Sequence, residues 1–167
     1  DQWKVITSLA KLARARGHGW VVPVDPDEVW YANDARLTDF LAGVPRDALI
    51  VSAELFNHIV TPEDIGGHPF RSMGWRQSFP VALPKVAAPA DPGLVIPAGN
   101  HSARIGRFSS AAGPLLVVRH FPYRTEDQFI ERVRTAYAEL KASRFGPGHG
   151  AHIRAYGKCL EEEGEEE

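Results

Sequence analysis

The chain has 167 residues, 44% of them hydrophobic and 24% charged, an ordinary globular composition with enough length for one real core. Its 19 basic and 21 acidic side chains give a formal net charge of -2, which argues against a general nucleic-acid binder. A single cysteine, Cys159, excludes an internal disulfide framework, and no apolar run reaches the roughly 18 residues of a membrane span.

In chain order, Trp3 to Ala15 has helical periodicity, with Trp3, Ile6, Leu9 and Leu12-Ala13 near one face and Gly17 as a natural stop. The apolar run Trp20 to Val24 then predicts a buried strand bounded by Gly19 and Pro26. Asp34 to Gly43 reads as a second helix, and Ala48 to Ala53 and Leu55 to Val60 as strand. A loop follows at Thr61-Pro62-Glu63-Asp64 and Gly66-Gly67. Short strands are expected at Arg71 to Gln77 and Pro84 to Ala88, and Leu94 to Ile96 and Ala103 to Ile105 flank a turn at Gly99-Asn100-His101. Leu115 to His120 is the second clear strand. Thr125 caps the longest helix, with Phe129, Val133, Ala136-Tyr137 and Leu140 as its stripe. Gly146-Pro147-Gly148-His149-Gly150 breaks it, and a final helix covers Ala151 to Leu160. The last seven residues, six Glu and one Gly, predict a solvated, frayed tail. The rest, residues 1–160, reads as one α/β domain with a mixed sheet flanked by helices. With no signal peptide visible the chain reads as cytoplasmic, and its start at Asp1-Gln2-Trp3 without Met suggests a segment of something longer.

The chemistry gathers where the first strand ends. Asp25 and Asp27, separated by Pro26, place two carboxylates at the mouth of a sheet, a costly cluster unless a cation sits there. Hard divalent ions, Mn or Mg, prefer such oxygen ligands and leave positions for phosphate oxygens. The plainer alternative is a turn, for which Asp-Pro-Asp is good chemistry by itself. Glu28 adds a third acid, and Trp30 a ring able to pack beneath the site or stack on a sugar or base. Of seven histidines, His101 in its turn and His120 at a strand end can supply an imidazole to the same cation, or serve as hydrogen-bonded structural residues. His18, His58 and His68 have no such context. Arg119 and Arg124, with Lys85, Arg71 and Arg76 further off, offer fixed donors for a diphosphate, or an ordinary solvated face paired with Glu126 or Asp127.

At these residues the sequence resembles the family-2-like glycosyltransferases of the GT-A fold. The matching pieces run in order from Asp25-Pro26-Asp27-Glu28-Val29-Trp30 through Lys85-Val86-Ala87 and Gly99-Asn100-His101. The most specific block is the last, His120-Phe121-Pro122-Tyr123-Arg124-Thr125-Glu126-Asp127-Gln128-Phe129. The likeness spans about Trp3 to Tyr156. It implies a partial GT-A fold and metal-dependent transfer of a sugar from a nucleotide-diphospho-sugar to an acceptor. Asp25 and Asp27 would bind the metal, His101 or His120 would complete it, and Arg119, Arg124, Lys85 and Trp30 would face the donor. An inverting member needs a carboxylate base, for which Glu54, Glu63 and Asp64 are candidates. Such enzymes carry a nucleotide-binding βαβ half before the Asp-x-Asp strand, so a missing N-terminal half is an expected partner. Two rivals stand beside this reading. One is a metal-dependent phosphoesterase or nucleotidyltransferase on the same acids. The other is a non-catalytic carbohydrate-binding remnant with Trp30, Trp75 and Tyr123 as an aromatic platform.

Overall fold

The computed structural model describes residues 2–45, 50–107, 112–146 and 148–164. Its elements are α1 (Gln2–Ala15), β1 (Trp20–Val21), β2 (Glu28–Tyr31), α2 (Leu37–Gly43), β3 (Val51–Asn57), α3 (Pro69–Ser72), β4 (Lys85–Pro89), β5 (Leu94–Val95), β6 (Arg104–Ile105), β7 (Ala112–His120), α4 (Glu126–Ala142) and α5 (Ala151–Gly164). The fold is mixed α/β, as the alternation of patterns predicts. Five strands form one sheet in the order β1-β4-β3-β7-β2, and β5 and β6 form a separate hairpin. Only β3 and β7 run parallel; the other three pairings are antiparallel.

This order places β1 and β2 on opposite edges although only six residues separate them in sequence. The connection 22–27 therefore crosses the end of the sheet where β3 and β7 finish and β4 and β2 begin. That geometry explains why the strand expected over Trp20 to Val24 stops at Val21: Pro23 has no N–H for a ladder, and the chain must already turn away.

Two apolar clusters sandwich the sheet. On one face Val51, Ala53 and Leu55 of β3, Leu116 and Val118 of β7, Ala87 and Trp30 meet Leu41 of α2. On the other, Ile50, Val86 and Ala88 meet Ile6 and Ala10 of α1 and Leu94, Ile96 and Ala103 around the hairpin. The alternation along β3 and β4 is the period-two rule at work. In α1 the buried stripe is Ile6 and Ala10, whereas Trp3, Leu9 and Leu12, expected on the inner face, are exposed. Ala10, fully buried, and Ile6 pack into the cluster formed by Val86 and Ala88 of β4 and Leu94, Ile96 and Ala103 around the hairpin. Its end follows expectation: Gly17 takes φ +80°, and the Gly17 and His18 amides donate to Arg14 and Ala13 carbonyls.

Other boundaries shift for local reasons. The segment expected as strand from Arg71 to Gln77 begins instead as α3, started by Pro69 and with the Arg71 and Ser72 amides bonded to the His68 carbonyl. Only Arg76 keeps a strand-like bridge, to His58. Residues 75–81 then continue the ladder along β3 beyond the reach of β4, through Ile59 N–H to Trp75 O, Gln77 N–H to Asn57 O and Val81 N–H to Leu55 O. The helix α2 starts at Leu37, later than Asp34, and no side chain caps it. Thr125 caps α4 as predicted, its hydroxyl accepting from the Gln128 amide at 3.1 Å. Helix α5 runs to Gly164, so Glu161 to Gly164, expected as frayed tail, are helical, and Glu161 receives Lys141 Nζ at 2.8 Å; residues 165–167 lie outside the described residues. No helix is long and apolar enough to cross a membrane among the described residues.

Candidate functional site

At the crossed end of the sheet, Asp25 to Glu28 form a turn in which the Glu28 amide donates to the Asp25 carbonyl at 3.0 Å. Pro26, with its fixed φ, sits at the second position of the turn, where it is favoured. The turn and the Asp-x-Asp cluster are thus the same object. The Phe121 amide, just past β7, donates to the Asp27 carbonyl at 2.9 Å and pins the turn over the strand ends.

The two carboxylates meet different partners. Asp25 Oδ2 lies 2.7 Å from Lys85 Nζ, and Glu28 Oε1 lies 2.7 Å from the same ammonium. Glu28 Oε2 accepts from Trp30 Nε1 at 3.1 Å and from the Asp25 amide at 3.3 Å. Lys85 and Glu28 are almost wholly buried. Burial alone would push the Lys85 ammonium down, but the hydrogen bonds and charges of Asp25 and Glu28 outweigh it and hold its pKa above the usual value. Lys85, expected on a donor diphosphate, is instead the counter-ion of two acids. Trp30, also expected to face the donor, is 8% exposed and part of the core, so its indole packs beneath the turn rather than offering a face to a sugar.

Asp27 turns the other way, toward His120. Asp27 Oδ2 lies 3.4 Å from His120 Nε2, and both side chains keep about a quarter of their surface open, at 26% and 21%. The opposite ring nitrogen, Nδ1, lies 2.7 Å from Asn57 Oδ1. An amide oxygen can only accept, so Nδ1 carries the hydrogen. A neutral His120 then points the lone pair of Nε2 at the carboxylate. Two acceptors face each other, and only a cation between them, a proton or a metal ion, makes that arrangement favourable. Arg132 Nη1, which the sequence reading did not single out, stands 3.9 Å from the same Asp27 oxygen and donates to the Pro122 carbonyl at 3.3 Å.

The remaining expected residues disperse. His101 Nδ1 bonds the Pro84 carbonyl at 2.9 Å, one residue before Lys85, which leaves its Nε2 as an acceptor. Arg119 leaves β7 on the face opposite His120, because neighbouring strand residues alternate; there it bonds His58 and the Met73 carbonyl. Arg124 contributes its amide to Gln128 Oε1, and its side chain is exposed. Of the proposed bases, Asp64 is buried and accepts from both the amide and hydroxyl of Thr61, a capping role. Glu63 beside it is exposed, and hydrogen bonds from the backbone and the Thr61 hydroxyl hold its pKa below the usual carboxylate range. Glu54 stands on β3 between the buried Ala53 and Leu55, hence on the face away from Lys85. Among the described residues none of the three bonds Asp27 or His120; Asp64 and Glu63 are engaged with Thr61 instead. The aromatic trio also separates: Trp75 is 72% exposed, Trp30 is in the core, and Tyr123 packs edge-on against Phe129.

Among the described residues no group of three or more His, Cys, Asp or Glu side chains is arranged to hold a metal ion. Asp27 and His120 supply two donors, which suits an ion that keeps waters and takes the rest of its shell from substrate phosphates. Two ligand atoms each about 2.1 Å from one ion stand about 3.0–3.4 Å apart at angles between square and tetrahedral, which matches their separation of 3.4 Å. Asp25 does not fit the same role while Lys85 neutralises it. Comparison of the chain with protein-family models, with curated proteins and with solved structures found no match.

Proposed function

We propose that this chain belongs to a metal-dependent glycosyltransferase of the GT-A type, transferring a sugar from a nucleotide-diphospho-sugar to an acceptor. The observation that carries the reading is the placement of His120 Nε2 3.4 Å from Asp27 Oδ2 with the opposite ring nitrogen held by Asn57 Oδ1, a spacing that two ligands of one cation share. The site lies outside the carboxyl ends of the parallel strands β3 and β7, where ligands of α/β sheets collect. The resemblance of Asp25 to Trp30 and of His120 to Phe129 to that enzyme family supports the same assignment.

In this reading Asp27 and His120 hold Mn or Mg, which when bound would neutralise charge on the departing nucleoside diphosphate. Asn57 fixes the tautomer and tilt of the His120 ring, as outer partners of metal-binding imidazoles do. Lys85 is a positioning residue: with Asp25 and Glu28 it locks the turn that presents Asp27. Arg132 places a guanidinium beside Asp27, ready for a diphosphate oxygen.

The test is a titration of Mn into the chain, read by electron paramagnetic resonance, with and without a uridine diphosphate sugar. The expected result is weak Mn binding that tightens with the nucleotide and falls at least tenfold in Asp27→Asn and in His120→Gln. Unchanged Mn affinity in Asp27→Asn, or equal nucleotide affinity in Mn and in chelator, overturns the proposal and leaves the pair an imidazolium–carboxylate bridge.

A further inference from the structure

We infer that a second site, on the opposite face of the same sheet edge, binds an oxyanion: the phosphate or carboxylate group of a small ligand held by Arg76 and Arg119. Val29 and Tyr31 of β2 and Arg119 of β7 project away from the face that carries Glu28, Trp30 and His120. With His58, Gly74 and Arg76 they line an open cleft of about 460 Å³. Two arginines and a tyrosine are among its lining residues, and among the described residues no Asp or Glu lines it.

Each guanidinium is oriented without being neutralised. Arg119 donates from Nε to His58 Nε2 at 3.0 Å and from Nη2 to the Met73 carbonyl at 3.3 Å. His58 can accept at Nε2 because its Nδ1–H donates to that same carbonyl at 2.8 Å. The imidazole is stacked on Phe121 with centroids 4.5 Å apart, and Phe70 packs against Phe121 in turn. Both partners of Arg119 are therefore neutral acceptors, so its full charge remains. Arg76 lies 4.1 Å over the ring of Phe56. Stacking on an aromatic face leaves the edge of the guanidinium plane, with its N–H fork, open to a ligand. Among the described residues Arg76 forms no ion pair.

The electrostatics agree with the geometry. Burial lowers the pKa of His58, its bond to Met73 opposes this, and the charges of Arg119 and Arg76 lower it further. Both cations thus act on one imidazole, and no acid offsets them. Fixed, uncompensated guanidinium groups in a recess attract planar or tetrahedral oxyanions and match them bidentately. A metal ion is excluded from this cleft by the same two charges.

The site is independent of the metal reading, and the experiment keeps them apart. The chain, labelled with ¹⁵N, is titrated in chelator with inorganic phosphate and, separately, with succinate, following the arginine Nε–H and Gly74 amide signals by nuclear magnetic resonance. Saturable shifts of Arg76, Arg119 and Gly74 are expected, and the tighter of the two probes identifies the phosphate or carboxylate source. Arg119→Gln also takes a donor from His58 Nε2 and from the Met73 carbonyl and can loosen the fold. The decisive variant is therefore Arg76→Gln, which loses only its stack on Phe56 and should weaken binding at least tenfold. Asp27→Asn should leave it unchanged. No saturable shift with either probe, equal binding in Arg76→Gln, or binding that requires Mn and Asp27 overturns the inference.

Discussion

Asp25 and Asp27 are one residue apart, identical in chemistry, and placed in the same turn, yet the fold puts them to opposite uses. Asp25 closes a three-charge knot in which Lys85 Nζ lies 2.7 Å from both Asp25 Oδ2 and Glu28 Oε1, and Glu28 Oε2 accepts from the Trp30 indole and the Asp25 amide. Asp27, about a quarter exposed, faces the His120 ring nitrogen at 3.4 Å and the Arg132 guanidinium at 3.9 Å, and among the described residues no side chain closes on it as Lys85 closes on Asp25. The difference is one of geometry at a tight turn: Pro26 reverses the chain, so the two carboxylates diverge, Asp25 toward the start of β4 at Lys85 and Asp27 toward the end of β7 at His120. A motif read as one cation site is better described as a rigid half and an open half. The rigid half holds the turn; the open half is where a ligand can act.

The largest effect should come from the rigid half. Lys85→Met keeps the volume of the stem but leaves Asp25 and the buried Glu28 without a counter-ion. Removing one member of a buried charged group costs about 3–5 kcal/mol, and urea unfolding should show a loss of that size. A loss below about 1 kcal/mol would mean that the knot contributes no more than a surface pair. The next effect is smaller. Trp30→Phe keeps the ring in the core but removes the N–H that Glu28 Oε2 accepts. A hydrogen bond to a charged group is worth about 1.5–3 kcal/mol, so the variant should fall between Lys85→Met and the native chain.

The same knot predicts a pH dependence. Lys85 has a folded pKa raised above its unfolded value, near 10.4. Its contribution is therefore complete below the unfolded pKa and is lost as pH rises through the folded one. The stability gap between the native chain and Lys85→Met should stay flat from neutral to mildly alkaline pH and close only above the ordinary lysine range. A gap that narrows already between pH 7 and 9 would contradict the assignment of Lys85 as the ionised partner.

Much of this arrangement was legible before any coordinates. The cap at Thr125, the stop at Gly17 and the strand ending in His120 rest on local chemistry, and each is present, whereas of the buried strand expected over Trp20 to Val24 only the half-buried edge pair Trp20–Val21 forms. What was not legible is long-range. Lys85 joins Asp25 across 60 positions, and nothing local in Pro84-Lys85-Val86 tells a diphosphate donor from an internal counter-ion. The separation of β1 and β2 to opposite edges is likewise a property of the whole sheet. Two features could have been read and were not. Arg119 and His120 are adjacent on a strand, so alternation alone sends them to different faces. His58, passed over for want of context, follows β3 as His120 ends its parallel neighbour β7, and its amide donates to the His120 carbonyl at 2.7 Å. In α1 the apolar stripe was ambiguous because Leu9 and Leu12 compete with Ile6 and Ala10 for the inner face. Ile6 and Ala10 are buried there, and Leu9 and Leu12 are exposed.

The smallest effect on stability belongs to the open half, and it is the most discriminating. Asp27→Asn replaces a carboxylate that accepts nothing strong from the chain: Arg132 is 3.9 Å away and exposed, and the His120 nitrogen offers a lone pair. The backbone bond from Phe121 to the Asp27 carbonyl survives the change. The amide can even donate an N–H to His120 Nε2, turning a contact between two acceptors into a hydrogen bond. Stability measured with chelator at pH 8 should therefore shift by no more than about 0.5 kcal/mol, the range of an ordinary surface substitution. If a metal ion bridges the pair, the variant is as stable as the native chain in chelator, and only the native chain gains unfolding midpoint when Mn is added.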